Sequence, residues 1–338
     1  MRALKSLAAA LVALPFTAPL AEKPPFEMEY PIACPEGQRC PVMVHVDHDP
    51  GPGIKDFACG TVTYDGHSGI DFRVEDLLAV AQGVPVLAAA PGVVSIIRDD
   101  VPDHNPFNYD QAEAARSSVC GNRVVLEHGP EWSTHYCHLR MGPAPVQVGQ
   151  QVEAGQVLGY VGMSGSTNFP HFQLNLLHTP PGQRLDIDPF APEGPSATCS
   201  ADIANSAWSR AAQRQLTYEG PALANMGFAD QAVTNRGIEN GVYKRTPVEA
   251  RSEALVLYAR TIAIQRGDIQ RLTILSPDGS VLSETETDAA ERNRLQSFLF
   301  VGRRLRADRW PAGPYIGFYE VLRDGRVVLS AEETLYIP

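Results

Sequence analysis

The sequence predicts an all-β protein of two domains, on the basis of its length, its turn residues and its apolar pattern. The chain has 338 residues, and at roughly 150 residues per domain this length allows about two domains. Glycine and proline occur 28 times each, which favours short strands joined by turns over long helical bundles. Short apolar runs separated by glycine recur along most of the chain. We therefore expect an antiparallel β-sheet domain followed by a small, immunoglobulin-like β-sandwich.

The composition indicates a folded protein and excludes one class of partner. Hydrophobic residues make up 44% of the chain and charged residues 20%, which is enough apolar surface for a packed core. The formal net charge is −11. Nucleic-acid binding needs a basic face that neutralises phosphates, so we expect no nucleic-acid partner.

The first 21 residues have the pattern of a secretory signal. Arg2 and Lys5 precede the apolar run Leu7–Ala21, which contains two prolines. The run is shorter than the roughly 20 apolar residues that a membrane-spanning helix needs, so a signal peptide cleaved after Ala21 is the better interpretation. Cleavage would leave a net charge of −13. We expect a secreted or periplasmic protein of the bacterial cell envelope, with no transmembrane segment after signal removal.

The remaining six cysteines predict disulfide bonds. An even number of cysteines in an exported chain favours pairing, and a zinc cluster is disfavoured because no Cys-x-x-Cys pair occurs. Four cysteines have a near partner in the sequence, and the last two pair by elimination. The expected pairs are Cys34–Cys40, Cys120–Cys137 and Cys59–Cys199.

Changes in pattern along the chain predict the domain boundaries. A Pro-rich, irregular lead-in without helix or regular strand pairing precedes the first β domain, and a second Pro-rich stretch follows it. A charged, proline-containing loop at 99–118, with a short helix at 110–116, interrupts the first domain. The expected segments are a signal peptide at 1–21, a lead-in at 22–60, a first β domain at 61–198, a linker at 199–220 and a β-sandwich at 221–338.

Period-two patterns and turn residues predict the strands of both domains. In the first domain we expect strands at 84–90, 92–97, 122–128, 133–139, 156–161 and 171–177. In the second we expect them at 254–265, 270–276, 281–285, 295–301, 315–322 and 327–330. Two-residue hairpin turns are predicted at Asp278-Gly279 and Asp324-Gly325.

A histidine and an aspartate four residues apart indicate a metal site. In the segment Gly66–Asp71, His67 and Asp71 would share one face of an extended strand, since residues at even separation do. Zinc accepts imidazole nitrogen and carboxylate oxygen. A histidine and an aspartate at this spacing also arise often by chance, so the pair alone is a weak indication.

Six ordered blocks of sequence around this pair make the indication specific. They are Gly66–Asp71, Val84–Val94, Gly121–Gly129, Thr134–Leu139, Val148–Gly162 and Ser164–His171. Together, over residues 64–178, they resemble the lysostaphin and LytM type of zinc metallopeptidase, the glycyl-glycine endopeptidase family. The resemblance implies an antiparallel β fold with an open groove, one zinc ion per chain, and cleavage of peptide bridges in bacterial peptidoglycan.

The resemblance also assigns roles to individual residues. His67 and Asp71 match two zinc ligands of the family, while His138 and His171 match the two histidines that lie beside the metal without binding it. The third ligand of the family is a histidine two residues after the second of these, and this chain has Gln173 there. Because His171 and Gln173 alternate onto one strand face, Gln173 would project at the metal position.

The glutamine leaves two alignments open. An amide oxygen can bind zinc, but as a neutral and weaker donor than imidazole, so we expect reduced zinc affinity with His67, Asp71 and Gln173 as ligands. In the alternative alignment His171 is the third ligand and Phe169 occupies the position of a catalytic histidine. Among the other histidines, we expect His135 to face away from His138 by strand alternation.

Three functions are compatible with these residues. The first is an exported zinc endopeptidase that acts on peptidoglycan peptides, in which His138 and His171 transfer protons and stabilise the developing oxyanion. The second is an inactive domain of the same fold that binds cell wall or regulates a partner wall hydrolase. The third, a structural or adhesive β protein, is least favoured. The C-terminal sandwich offers no catalytic residues, and we expect it to serve in docking or wall positioning.

Overall fold

The computed structural model describes residues 22–36, 40–108, 110, 118–195, 199–216, 218 and 220–338. The expected signal segment at 1–21 lies outside these residues, and so does nearly all of the short helix expected at 110–116. In the described part of the chain no helix is long and apolar enough to cross a membrane.

The first domain is built on an antiparallel sheet of eight described strands. The strands are β1 (Val42–Val44), β2 (Ile70–Arg73), β4 (Gly92–Arg98), β5 (Asn122–Glu127), β6 (Trp132–Leu139), β7 (Gln151–Val152), β9 (His171–His178) and β10 (Leu185–Ile187). Their order is β1-β2-β9-β6-β5-β4-β7, with β10 paired to β9. A separate two-stranded sheet joins β3 (Pro85–Leu87) to β8 (Val157–Tyr160). The predicted all-β, antiparallel fold class is confirmed.

Strand alternation decides which residues of this sheet reach the core. Phe72 on β2 pairs with Phe172 on β9, both are fully buried, and their rings stack with centroids 5.1 Å apart. Because side chains of adjacent strand residues point to opposite faces, Asp71 and Gln173 face away from this core. The predicted strands at 92–97, 122–128, 133–139 and 171–177 are confirmed to within one residue.

The lead-in segment is part of the sheet, which corrects the expectation that it excludes regular pairing. Strand β1 lies between its prolines and pairs antiparallel with β2 through Val42 and Phe72. The prolines are compatible with this because β1 is a short edge strand, where proline is tolerated. Met28 also packs in the core, fully buried and bridged to Trp208.

The second domain is a sandwich of two antiparallel sheets. One sheet has the order β11-β12-β15 and the other β14-β13-β16-β17. The strands are β11 (Ala222–Ala229), β12 (Ala254–Ile264), β13 (Ile269–Leu275), β14 (Val281–Glu286), β15 (Arg294–Arg304), β16 (Gly313–Arg323) and β17 (Arg326–Ile337). Alternating residues such as Leu257, Leu272 and Tyr319 form its buried core. All six predicted strands are present, and β11 was not predicted.

The two predicted hairpin turns differ in length. Asp324 and Gly325 have φ values of 51° and 75° and join β16 to β17 directly, as the predicted two-residue turn requires. Asp278 and Gly279 instead lie within a five-residue loop, 276–280, between β13 and β14. In that loop the Asp278 carboxylate accepts from the backbone N–H of Ser280 at 3.0 Å, a local bond typical of aspartate in turns.

The described helices are short, and hydrogen bonds at their ends define them. They are α1 (Leu77–Gln82), α2 (Arg210–Gln213), α3 (Asn235–Glu239) and α4 (Val242–Arg245). Asp76 caps α1 by accepting from the N–H of Ala79, and Thr234 caps α3 by accepting from Gly237. Such side-chain caps satisfy amide groups that a helix start leaves unpaired.

All three predicted disulfides are confirmed: Cys34–Cys40, Cys59–Cys199 and Cys120–Cys137. The second joins residues 140 apart in sequence and ties the segment after the first domain to the lead-in. The third adjoins His138, since Cys137 precedes it and the backbone N–H of His138 donates to the carbonyl of Cys120 at 2.8 Å. The Cys120–Cys137 disulfide therefore holds the chain next to His138.

Candidate active site

Strands β2 and β9 bring the central residues of the candidate site together. The register pairs Asp71 with Gln173 and Arg73 with His171. Directly opposed residues of an antiparallel pair have Cβ atoms about 5 Å apart on the same face. Asp71, Gln173 and His171 therefore lie side by side on the face opposite the stacked Phe72 and Phe172.

His67 reaches this face from a turn and not from the strand. Strand β2 begins at Ile70, which corrects the expectation that His67 and Asp71 share one extended strand. Gly66 has a φ of 75°, and the N–H of His67 bonds to the carbonyl of Tyr64 at 3.0 Å. This turn places His67 Nε2 3.1 Å from Asp71 Oδ1.

His138 reaches the site through a left-handed backbone. Cys137 pairs with Gln173, while Tyr136 is fully buried in the core on the other face. Regular alternation would send His138 to the core with Tyr136, but its φ of 60° breaks the alternation and directs the side chain to the site. His135 pairs with Asn175 and shares the site face, so the expectation that His135 faces away from His138 is wrong.

This backbone conformation predicts a difference between two variants of one residue. A non-glycine residue in the left-handed region costs about 1–2 kcal/mol. His138→Gly is therefore expected to unfold with a free energy about 1 kcal/mol higher than His138→Ala, as measured by urea denaturation. Both variants lose the imidazole, so the comparison isolates the backbone. Equal free energies of unfolding for the two variants would show that the left-handed backbone at His138 is not strained.

Backbone carbonyls fix the tautomer of all three histidines. The Nδ1 atoms of His67, His138 and His171 lie 2.9, 2.9 and 2.8 Å from the carbonyls of His45, Ser164 and Phe169. A carbonyl only accepts hydrogen bonds, so each Nδ1 carries the proton and donates it. Each neutral ring therefore presents the lone pair of Nε2 to the site.

The Asp71 carboxylate lies between two of these rings. Its two oxygens are 3.1 Å from His67 Nε2 and 3.7 Å from His171 Nε2, and the side chain is 2% exposed. Burial alone would raise the pKa of Asp71, but the neighbouring His171 and His67 hold it below its usual range. Asp71 is therefore an anion at neutral pH.

Burial keeps the two histidines expected beside the metal neutral. Loss of solvation lowers the pKa of His138 to about 4, with a further lowering by the nearby His171. It also lowers the pKa of His171, against the opposing attraction of Asp71. The ring centroids of His138 and His171 are 4.7 Å apart. Both rings are therefore neutral near pH 7, with an unprotonated Nε2.

The atoms that face the centre of the site fit a cation. When His67 is neutral, the lone pair of its Nε2 faces an oxygen of Asp71. Two electron-pair donors then meet with no proton between them. Such an arrangement is favourable only if a proton or a metal ion lies between them. Without a metal ion, Asp71 raises the pKa of His67, although burial opposes this. Imidazole nitrogen and carboxylate oxygen are zinc donors, so this donor set fits zinc.

Histidine and acidic side chains alone do not complete a metal site. Among the described residues, no three histidine, cysteine, aspartate or glutamate side chains form a group that could hold a metal ion. The amide of Gln173, directly opposite Asp71, is the further oxygen donor at the position expected for the third ligand.

A pocket opens over these side chains. Its volume is about 260 Å³, and Asp71, His138, His171 and Gln173 lie in its wall. Tyr64 also lines it, with 47% of its surface exposed and its ring centroid 4.5 Å from that of His67. The rest of the wall is the loop Ser166–Phe169. A larger cavity of about 740 Å³ lies near the Cys34–Cys40 disulfide, and none of these site side chains lines it.

The C-terminal domain supports one wall of the pocket. Glu239 of α3 accepts from Arg73 of β2 at 2.7 and 2.9 Å, and it also pairs with Arg260 of β12. All three side chains are buried. The Arg73 guanidinium lies 5.3 Å from the ring centroid of Phe169, which stacks on His171 at 4.2 Å. This buried charge group therefore connects the sandwich to a pocket residue.

Sequence reasoning missed the partners of the site residues. Asn175 accepts from the Gln173 amide at 2.9 Å, and His45 supplies the carbonyl that holds His67. The alternation of Gln173 and Asn175 on β9 could have indicated the first of these. No local pattern indicates Arg73, whose carboxylate partner Glu239 lies 166 residues away in the sequence.

Comparisons with known proteins agree with this geometry. Residues 65–189 match the model of peptidase family M23. Over 110 residues the chain is 32% identical to the cell division protein DipM of Caulobacter vibrioides, covering 32% of this chain and 15% of that protein. Over 111 residues it is 32% identical to the peptidoglycan DD-endopeptidase ShyA of Vibrio cholerae, covering 33% and 20%.

A solved structure is similar over the same domain. The catalytic domain of the antimicrobial peptidase lysostaphin from Staphylococcus simulans is 22% identical, with 42% of this chain and 84% of that chain covered and a TM-score of 0.26. The two curated relatives are matched over no more than a fifth of their length. The family match includes the positions of His67, Asp71, His138, His171 and Gln173. Residues 65–189 of the chain thus match peptidase family M23, in agreement with the resemblance to the lysostaphin and LytM type.

Proposed function

We propose that the chain is an exported zinc metalloendopeptidase that hydrolyses peptide bonds in peptidoglycan. The main support is the buried pair of His67 and Asp71, whose electron-pair donors face each other 3.1 Å apart. Together with Gln173 they would hold one zinc ion. The relative from Vibrio cholerae is a peptidoglycan DD-endopeptidase, which supports peptidoglycan as the substrate.

The remaining histidines have the chemistry of proton carriers. A zinc ion held here would supply a Lewis acid and lower the pKa of a bound water toward about 7. His171 Nε2 is free to accept a proton because its Nδ1 already donates to Phe169. His138 has the same arrangement through Ser164. Once protonated, either ring can donate to the oxyanion that develops on the scissile carbonyl.

The disulfides and the cysteine count support export. All six cysteines are paired and the described residues contain no free cysteine. Disulfides persist in oxidising compartments such as the periplasm and the extracellular space. The cell envelope is also where a peptidoglycan substrate is found, so localisation and proposed substrate agree.

Gln173 supports a second candidate function. An amide is a weaker zinc donor than imidazole, and a site that loses its metal would leave a domain that binds cell wall or regulates a partner hydrolase without catalysis. Treatment with a chelator distinguishes the zinc peptidase from the non-catalytic binding domain. The peptidase would lose peptidoglycan digestion on treatment with chelator and regain it with zinc, whereas the binding domain would bind peptidoglycan equally well with or without chelator.

Replacing His171 tests the assigned roles. His171→Ala is expected to retain about one zinc per chain, because the ligands are elsewhere, while peptidoglycan hydrolysis falls by about 10²–10⁴-fold. Zinc content and release of soluble muropeptides are measured on the same preparation. His178→Ala is the matched control, since His178 lies on the same strand but stacks on Trp132 at 4.2 Å. Loss of zinc in His171→Ala would favour the alternative alignment, with His171 as a ligand.

The C-terminal sandwich has a closer role than wall positioning alone. It contributes Glu239 to the buried group that holds Arg73 beside His171. The residues that join the two domains are also packed, since Trp208 is buried in the core of the first domain. We propose that the sandwich stabilises the pocket, and that wall positioning is an additional role of its outer surface.

A further inference from the structure

Three polar groups form a chain of hydrogen bonds that ends at Gln173. The side-chain Nδ2 of Asn175 donates to the carbonyl of Ser68 at 2.9 Å and lies 3.2 Å from the Ser68 hydroxyl. The Nε2 of Gln173 donates to Oδ1 of Asn175 at 2.9 Å. Asn175 is buried, with 8% of its surface exposed. Neither Asn175 nor Ser68 has a role in the mechanism described above.

This chain of bonds has a defined direction. The carbonyl of Ser68 can only accept, so Asn175 must present its NH₂ group there. Its oxygen then faces Gln173, which must in turn present its own NH₂ group. The remaining atom of the amide, Gln173 Oε1, is then left on the side away from Asn175.

The direction matters because the two ends of an amide are nearly equal in size. If the amide rotated by 180°, its NH₂ group would face the centre of the site, and its partial positive charge would repel a metal ion. The same rotation would set two oxygens, those of Gln173 and Asn175, against each other. A buried polar group without a partner costs about 1–3 kcal/mol, so the hydrogen bonds of Asn175 select one orientation.

Glycine at position 69 leaves the space for this arrangement. A Cβ atom at Gly69 would lie 2.7 Å from Nε2 and Cγ of Gln173 and 3.0 Å from Nδ2 of Asn175. These distances are shorter than normal carbon contacts, so a larger residue would displace one or both amides. The packing and the hydrogen bonds thus independently define one position for the Gln173 amide.

We propose that Asn175 is a positioning residue that presents the oxygen of Gln173, and not its NH₂ group, to the metal position. The inference rests on the proposed function, in which Gln173 is a zinc ligand. Asn175 acts through Gln173 and does not itself contact the metal. Asn175, on the same face of β9, thereby holds the neutral Gln173 amide as an oxygen donor at the ligand position.

The test is a double-mutant cycle in zinc affinity. Asn175→Leu removes the hydrogen bonds of Asn175 while keeping a side chain branched at Cγ, and it is expected to weaken zinc binding, measured by titration calorimetry with zinc chloride, by about 10–100-fold. In a Gln173→His background there is no amide whose oxygen and NH₂ ends could be exchanged, because either nitrogen of an imidazole can bind zinc. There the same Asn175→Leu change is expected to alter affinity by no more than about threefold.

A purely structural role for Asn175 predicts a different outcome. It would weaken zinc binding equally in both backgrounds, and that result, or no loss in either, would overturn the proposal. Gly69→Ala would displace the same amides while keeping every hydrogen-bonding group. It is expected to weaken zinc binding more in the otherwise unchanged protein than in the Gln173→His background. Circular dichroism and thermal unfolding establish that each variant is folded.

Failure of the proposed function gives a separate result. If the unchanged protein binds no zinc while Gln173→His does, Gln173 is not a ligand, and the proposed zinc site is wrong together with the role of Asn175. If the unchanged protein binds zinc and Asn175→Leu binds it equally well, the zinc site stands and only the positioning role is wrong.

Discussion

Replacing Asp71 by asparagine is expected to abolish zinc binding and peptidoglycan hydrolysis together. Asp71 is the anionic member of the proposed ligand set, and both of its oxygens face imidazole nitrogens. Loss of a partner outside the ligand set costs about 10–100-fold in metal affinity, so loss of a charged ligand is expected to exceed about 100-fold. Titration calorimetry and zinc content measure the effect.

A second buried aspartate provides the control. Asp188 is also buried and lies 2.8 Å from a histidine, His48, but outside the pocket. Asp188→Asn removes a comparable charge and is expected to change zinc affinity by no more than about threefold. Comparable loss of zinc in the two variants would show that the Asp71 effect is one of general stability.

Removing the carboxylate of Glu239 is expected to give the largest loss of stability. In Glu239→Ala the guanidinium groups of Arg73 and Arg260 would remain buried without a counter-charge. Breaking a buried ion pair from one side typically costs about 3–5 kcal/mol. We expect a loss of this size in the free energy of unfolding measured by denaturant, together with reduced hydrolysis because Phe169 and His171 lose their support.

Surface pairing offers a matched comparison for Glu239. Glu286 pairs with Arg271 at 2.7 Å, with both side chains at least one-third exposed. Glu286→Ala is expected to cost no more than about 1 kcal/mol and to leave hydrolysis unchanged. If Glu239→Ala lowered the free energy of unfolding by as little as Glu286→Ala does, the sandwich would not be a structural support of the pocket.

The sequence predicted most of the strands, and it predicted which residues meet around Asp71. Turn residues and short apolar runs located β4, β5, β6 and β9 to within one residue, although β6 and β9 are buried along nearly their whole length. The ordered blocks brought distant residues such as His67 and His171 into one site through resemblance. The disulfide pairs followed from the even count of cysteines.

The remaining features depend on geometry that has no local pattern. His138 enters the site through a positive φ, and the residue type histidine does not indicate a left-handed backbone. For this reason the prediction that His135 faces away from His138 was wrong. His67 lies in a turn because Gly66 permits it, although the spacing suggested a strand. The pairing of Arg73 with Glu239 joins residues from two domains, so neither domain alone predicts it.

The central claim is that one metal ion is held by His67, Asp71 and Gln173, and X-ray absorption spectroscopy of the zinc-loaded protein tests it most directly. Outer-shell scattering from imidazole rings counts the histidines bound to the metal. The proposed site predicts one imidazole, with oxygen atoms as the other ligands. Two imidazoles would contradict it and would favour His171 as a ligand, and a folded protein that takes up no zinc would exclude the zinc site altogether.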